Sequence, residues 1–443
     1  MIKTGTDILP GPQGIRLSDS LRIGSMMVRN RLYRAPVLEG YLGEKDFIRA
    51  YEEHFIPNAK AGIGLIIMGS SCIDEEGHAA PGMISVHLRE NVLPLARLTA
   101  RVHEHGAKIV MQLGHGGYFA LEGWHTAYKS RRKKPLIGPS PLPLPFSLMI
   151  RPVHALTTAE VYELAEKFGR SAALAREAGL DGVQLAAGNG KLLHQFLTPY
   201  FNRRTDEFGG TVENRTRILK VIRESIARHA GADYPVLTKL PMMDTQHAKR
   251  RITLEDGLAM ARLCEQWGFA AITPTTADAF PTAKVTRGDY PAGVYENGTI
   301  ARQMREASGS WWRFHLYRWT TAYAARREPF QSVWNRDIFA AIKRTVSIPA
   351  FAVGGIRSLE DIESILGSGQ ADMVGMARPL YAEPDLPARL LTGDRRASIC
   401  ESCNRCVFMA LALGNRGGCY NPDVNKKRAA LLRERSQQAE ILI

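Results

Sequence analysis

The chain reads as an α/β protein of the (β/α)8 TIM-barrel class with a C-terminal cysteine-containing extension. Three observations lead there. Eight short apolar runs lie between residues 30 and 394, helix-period stretches separate them, and 443 residues at 45% hydrophobic and 23% charged suffice for one large core. A doubly wound sheet is the alternative, but no GxGxxG follows the first run.

The runs, in order, are LYRAPV from Leu32, GLIIMGS from Gly64, KIVMQLG from Lys108, GVQLAA from Gly182, PVLTKLP from Pro235, FAAITPTT from Phe269, IPAFAVGG from Ile348 and ADMVGMAR from Ala371. Near-continuous apolar runs of this length are what strands buried on both faces require. Between the third and fourth, Val161, Leu164, Phe168 and Ala172 share one face of a predicted helix. Thr157 with Glu160, and Ser358 with Asp361, have the spacing of helix-start capping boxes. A barrel of this class places its site at the C-terminal ends of the strands.

The expected organisation is a barrel over residues 1–394 and an extension over 395–443, with long insertions at about 118–156 and 277–334. The first insertion carries the Pro-rich KKPLIGPSPLPLPF. The second carries RGDYP and then Trp311, Trp312, Phe314, Tyr317 and Trp319. Its readings are a substrate lid, a subunit interface, a membrane-surface helix or a small core of its own, with lid or interface preferred.

A net charge of +14 would suit an anionic cofactor or acidic partner, but the basic residues are dispersed among acids, so nucleic-acid binding is not expected. No apolar run reaches membrane-spanning length, and the first residues lack a signal peptide's apolar stretch, so a cytoplasmic location is expected. Cys72 and Cys264 stand alone. Cys400, Cys403, Cys406 and Cys419 cluster, and in a reducing compartment such a cluster points to metal before disulfides. Three cysteines at CxxCxxC spacing with a remote fourth favour an iron–sulfur cluster over zinc, with zinc or no metal left open.

One segment narrows the reading further. His194 to Arg215, HQFLTPYFNRRTDEFGGTVENR, combines a Pro turn, a charged loop and a Gly209-Gly210 hinge that feeds a helix with Glu213 in its first turn. A salt-bridged loop without chemistry is the plain alternative. The string resembles the signature loop of the Old Yellow Enzyme family of FMN-dependent oxidoreductases, and the resemblance spans about residues 15 to 394 outside the two long connections.

That resemblance implies FMN as cofactor, NADH or NADPH as reductant, hydride exchange between flavin N5 and an unsaturated organic substrate, ping-pong kinetics and a homo-oligomer. It also implies roles residue by residue. Pro36 lies under the flavin ring, Ser70 ends the second strand beside it, Gln112 contacts the pyrimidine edge and Lys239 stands beside N1. Gly354, Gly355, Ala377 and Arg378 match the phosphate-binding ends of the last two strands. Where the family carries two substrate-binding residues and a proton-donating Tyr, this chain has Ala186, Asn189 and Lys191. Lys191 would donate a proton or pair a substrate anion, Asn189 would bind the substrate, and His115 is catalytic or structural. Leu38 and Tyr118 also depart from the pattern, so the substrate class stays open.

The cysteine tail resembles the [4Fe–4S] segment of the 2,4-dienoyl-CoA reductase and trimethylamine dehydrogenase branch, with the third cysteine one residue closer. A cluster there implies an electron-transfer protein partner. An electron-transfer subunit without ene reduction, or an enzyme run in the oxidative direction, are the alternatives.

Overall fold

Eight parallel strands form one sheet: β1 (Leu32–Arg34), β2 (Leu65–Cys72), β3 (Lys108–Gly114), β4 (Gly182–Ala186), β5 (Val236–Asp244), β6 (Ala271–Ala277), β7 (Phe351–Val353) and β8 (Met373–Met376). The sheet runs β6-β5-β4-β3-β2-β1-β8-β7, and a parallel bridge between Ile272 and Ala350 joins its two edges. The eight runs read from the sequence are these strands, and the architecture is a (β/α)8 barrel. The computed structural model describes residues 14–121, 125–129, 134–143, 147, 153–245, 249–277 and 286–441.

The interior is packed, as barrels of this size require. Tyr33, Leu65, Ile67, Val110, Leu237, Ala271, Phe351 and Met373 fill it, and a hairpin, Leu21–Ile23 with Met26–Val28, adds Ile23, Met26 and Val28. Ser25 Oγ donates to the Asp233 carbonyl 2.8 Å away, which seats the hairpin at the N-terminal ends of the strands. The opposite, C-terminal mouth is left to the loops. Tyr33 is fully buried, and a Cβ at residue 375 would lie 2.2 Å from its ring, so Gly375 is set by a close approach.

Around the sheet run α1 (Phe47–Lys60), α2 (Leu95–Glu104), α3 (Thr158–Glu177), the short α4 (Leu192–Leu197), α5 (Val212–Ala230) and α6 (Leu254–Gln266). After them come α7 (Gly298–Ser308), α8 (Trp311–Arg327), α9 (Arg336–Lys343), α10 (Leu359–Gly367), α11 (Leu386–Leu391), α12 (Arg405–Leu413) and α13 (Pro422–Ile441). α3 buries Val161, Leu164, Phe168 and Ala172 as its periodicity predicts, and both predicted capping boxes form. A third, Thr253 with Asp256, starts α6. Each box satisfies two backbone N–H groups that a helix start leaves without partners.

The second insertion folds into α7 and α8, which share a small core of Val294, Tyr295, Met304 and Phe314 with Met409 of α12. Part of the Pro-rich stretch lies outside the described residues; Leu136–Gly138 pairs in parallel with Val153–Ala155. Among the described residues, no helix is long and apolar enough to cross a membrane.

Adding a methyl group at Gly375 should cost about 1–3 kcal/mol, the usual cost of overpacking a filled core. Urea denaturation of Gly375→Ala measures it, and pairing with Tyr33→Leu should recover part of the loss.

Candidate active site

A cavity of about 230 Å³ opens at the C-terminal mouth. Its wall takes Pro36 and Leu38 from the segment after β1, Asn189 after β4, Lys239 on β5, Thr273 and Thr275 on β6, Gly354 and Gly355 after β7, and Ala377 and Arg378 after β8. Trp334 and Asn335 before α9, Phe330, Thr286, Arg357, Ser402, Val407 and Ala410 complete its main features. Positions more than 300 residues apart in sequence meet here because parallel strands all end on one side.

Seven residues singled out from the sequence therefore share this wall: Pro36, Asn189, Lys239, Gly354, Gly355, Ala377 and Arg378. Gln112 does not reach it. Its Nε2 donates to Gln184 Oε1 at 2.7 Å, and Gln184 Nε2 donates to Thr273 Oγ1 at 3.1 Å, so Gln112 stands two hydrogen bonds behind the wall. Ser70 sits opposite Gln112 in the β2–β3 register, half-buried and also outside the wall.

His115 is buried elsewhere. Its Nδ1 accepts the Gly117 N–H at 2.9 Å, a Cβ at residue 77 would lie 2.2 Å from its ring, and burial lowers its pKa to about 4. Tyr118 is structural too: its hydroxyl donates to the Ser140 carbonyl and accepts the Ser140 N–H at 3.1 Å.

Lys239 and Lys191 are both half-buried, and loss of solvation lowers each from the ordinary lysine value to about 8. Asn189 adopts φ +60°, and among the described residues its buried Oδ1 has no hydrogen-bond partner. An orphaned buried oxygen signals a missing donor. Gly354 and Gly355 hold φ of +122° and +77°, and a Cβ on either would run into Trp334. Glycine backbone on the cavity wall beside Trp334, a cation and an unsatisfied acceptor in one cleft suit a flat, anionic group such as FMN, so these residues fit that cofactor.

The Asn189–Lys191 turn is held from below. Gly190 N–H donates to His194 Nδ1 at 2.9 Å, and His194 Nε2 bonds Asp244 Oδ1 at 2.8 Å. Thr198 Oγ1 and the Ile252 N–H complete Asp244 at 2.6 and 3.0 Å. His194 and Asp244 are fully buried. Downstream, Asn202 donates to the Phe196 and Phe208 carbonyls and Arg204 pairs with Asp206, so this stretch is spent on its own geometry.

The tail closes one side. Arg357 donates to the Ser398 and Cys400 carbonyls, and Arg378 to the Ser402 carbonyl, Asn404 Oδ1 and the Arg287 carbonyl. Gly417 N–H donates to the Glu39 carbonyl at 2.7 Å. Cys400, Cys403, Cys406 and Cys419 line a second, small cavity whose wall includes Arg378 and Ser402, so the two cavities share that partition. Asn421 Nδ2 lies 3.6 Å from Cys403 Sγ. Burial pushes the Cys406 thiol up to about 12. Among the described residues, no three His, Cys, Asp or Glu side chains converge closely enough to hold a single metal ion.

Sequence reasoning missed Thr273, Thr275, Phe330, Trp334, Asn335 and Arg357. The alternate threonines of ITPTT were a usable signal, since residues two apart face the same side of a strand. Trp334 and Asn335 gave none, because their approach depends on how the long insertion folds.

Fold and site together define a (β/α)8 barrel with a polar cleft at its C-terminal mouth. The chain belongs to the NADH:flavin oxidoreductase / NADH oxidase family, a class of FMN-dependent oxidoreductases, whose sequence pattern matches residues 17–271 and 291–396. The match runs through the first long connection and most of the second, which the sequence reading had set outside the resemblance. Similar proteins include a metal reductase of Desulforamulus reducens, 28% identical over 95% of this chain and 56% of that protein. A cinnamate reductase of Clostridium sporogenes is 27% identical over 96% and 60%, and an NADPH dehydrogenase of a Geobacillus species 27% over 82% and 90%. The chain thus spans little more than half the length of several relatives it matches.

Among solved structures, a 2-naphthoyl-CoA reductase complex aligns with TM-score 0.72 at 20% identity, over 93% of this chain and 58% of that one. The Old Yellow Enzyme homologue of Zymomonas mobilis aligns with TM-score 0.64 at 21% identity, over 92% and 98%. At these identities the likeness concerns the fold.

Replacing His194 by Ala should strip Asp244 of one buried partner and release the Gly190 amide. A loss of about 1–3 kcal/mol in urea denaturation is expected.

Proposed function

We propose that the chain is an FMN-dependent NAD(P)H oxidoreductase that reduces an unsaturated organic substrate bearing an anionic group. The observation that carries this reading is the convergence of Lys239, the orphaned Asn189 oxygen and the Gly354-Gly355 cradle in one cleft. Bound FMN would supply hydride exchange between NAD(P)H and the substrate.

The chain's own residues do the rest. Lys239 Nζ holds positive charge at the mouth, where anionic ligands are stabilised. Gly354 and Gly355 let a phosphate approach the backbone, and Asn189 offers an acceptor to a bound group. Lys191 Nζ, with its lowered pKa, either delivers a proton or pairs a substrate carboxylate. Ala186 offers no side-chain hydrogen bond to a carbonyl, which leaves Lys191 as the polar group of the pair. Likeness to proteins named cinnamate reductase and NADPH dehydrogenase supports the reductive direction.

The cysteine-lined cavity supports a second element, a [4Fe–4S] cluster passing electrons to or from a protein partner. A cluster held by these cysteines would lie across the shared Arg378–Ser402 partition from the barrel mouth, and Asn421 beside Cys403 would tune it. The cytoplasm is the compartment these cysteines fit.

The purified protein should show a flavin spectrum that bleaches anaerobically with NADPH or NADH and returns on adding an unsaturated carboxylate or thioester. Bleaching with no organic acceptor would leave only an electron carrier. Iron and zinc analysis of the same sample tests the cluster.

A lysine depressed to about 8 is charged in the folded protein only below that pH. Turnover should therefore fall as pH rises through about 8, and Lys191→Ala should lower kcat more than flavin content. Full activity in that variant would remove Lys191 from the reaction.

A further inference from the structure

Helix α8 has two apolar faces. Its inner face carries Phe314, 2% exposed, and Thr321, whose hydroxyl lies 3.1 Å from the Tyr295 hydroxyl. On the outer face Trp312, Leu316, Trp319 and Tyr323 follow at the i, i+4, i+7, i+11 spacing of one helical stripe, 51%, 39%, 64% and 49% exposed, with Trp311 beside them at 65%. Trp319 and Tyr323 stack with centroids 5.6 Å apart. Soluble surfaces scatter large apolar side chains singly; a continuous stripe marks something that covers it.

The charge on the helix identifies the cover. Arg313, Arg318, Arg326 and Arg327 lie within Trp311–Arg327, which has no Asp or Glu. Arg313 and Arg327 sit over the rings of Trp312 and Tyr323 at 5.2 and 5.4 Å, and Arg318 has one loose partner, Glu296, at 3.8 Å. The active-site cavity draws its wall from Thr286, Phe330 and Trp334 and from no residue of α8, so the stripe is not the lid of that cavity. A second copy is a poor cover, because two-fold pairing would set each arginine-rich face against its own like. Tryptophan and tyrosine rings with a polar edge, framed by arginines whose stems lie along apolar surface, match the headgroup level of a bilayer.

We propose that α8 is a peripheral docking surface for an anionic phospholipid bilayer. Trp312, Leu316 and Trp319 enter the interface, Trp311 and Tyr323 flank them, and the arginines engage lipid phosphates. Among the described residues no helix is long and apolar enough to span the bilayer, so the contact is peripheral.

Sedimentation of the full chain with vesicles tests the proposal. Partition onto phosphatidylcholine vesicles containing phosphatidylglycerol should exceed that onto phosphatidylcholine alone by about tenfold, and fall with added salt. Trp312→Ser with Trp319→Ser should lower it about tenfold. Arg313→Gln with Arg318→Gln should erase the preference for the anionic lipid. Both pairs should keep wild-type flavin reduction in solution, since none of these residues lines the cavity, so failure here is separable from failure of the proposed activity. Absent or lipid-indifferent partition of the wild type would overturn the proposal and leave an acidic protein as the cover. So would tryptophan variants that partition like the wild type, or a solution dimer that they dissociate.

Discussion

The Ile272 N–H donates to the Pro349 carbonyl at 3.0 Å, where the last strand pair meets the sixth strand, and the rest of the structure depends on the closure this bond completes. An open parallel sheet would expose the backbone edges of β6 and β7 and spread the strand ends along a line. Closure removes both edges and gathers eight strand ends around one mouth. Lys239, Thr275, Gly354 and Ala377 can then face one cavity although each lies on or just after a different strand. The site is a consequence of topology first and of side-chain chemistry second.

Closure leaves one mouth plugged and the other free for chemistry. The N-terminal hairpin seals the first with apolar side chains. At the second, the tail is tied down by donors from the barrel: Arg357 and Arg378 give their N–H groups to carbonyls of the cysteine segment. A guanidinium satisfies several buried carbonyls at once with five N–H donors in a fixed plane, where a lysine has three on a freely rotating head. Arg378 was read as a phosphate ligand, and it still lines the cavity; its recorded hydrogen bonds, however, go to the tail and to the Arg287 carbonyl. The residue therefore separates the two cavities while belonging to both.

The strands were legible because burial on both faces forces unbroken apolar runs, and the capping boxes because their chemistry is local. The cradle glycines were legible for a similar reason, since a Gly pair after a strand is a local backbone requirement. Gln112 and Trp334 show the limit. Gln112 lies on the strand the sequence indicates, yet its amide pairs with Gln184, a choice set by the neighbouring strand. Trp334 sits at the end of an insertion whose path no period in the sequence specifies. His115 stands beside the site in sequence but packs against Gly77 in space, because the segment after β2 folds back over it.

The signature loop deserves a different reading from the one its specificity invites. His194, Asn202, Arg204 and Asp206 spend their polar groups on backbone N–H and C=O groups, on one another, on Thr158 and on Asp244, and none lines the cavity. What the loop does chemically is indirect: through His194 it fixes the Gly190 amide, and so the turn that carries Asn189, which lines the cavity, and Lys191, which lies outside that wall. A scaffold held this firmly tolerates substitution at these positions, because Lys191 contributes backbone groups, not its side chain, to the hydrogen bonds that keep the turn in place. Burial then sets the character of whatever stands there. Loss of solvation lowers the Lys191 ammonium from the ordinary lysine value to about 8, so its charge is set by how far the turn stays buried.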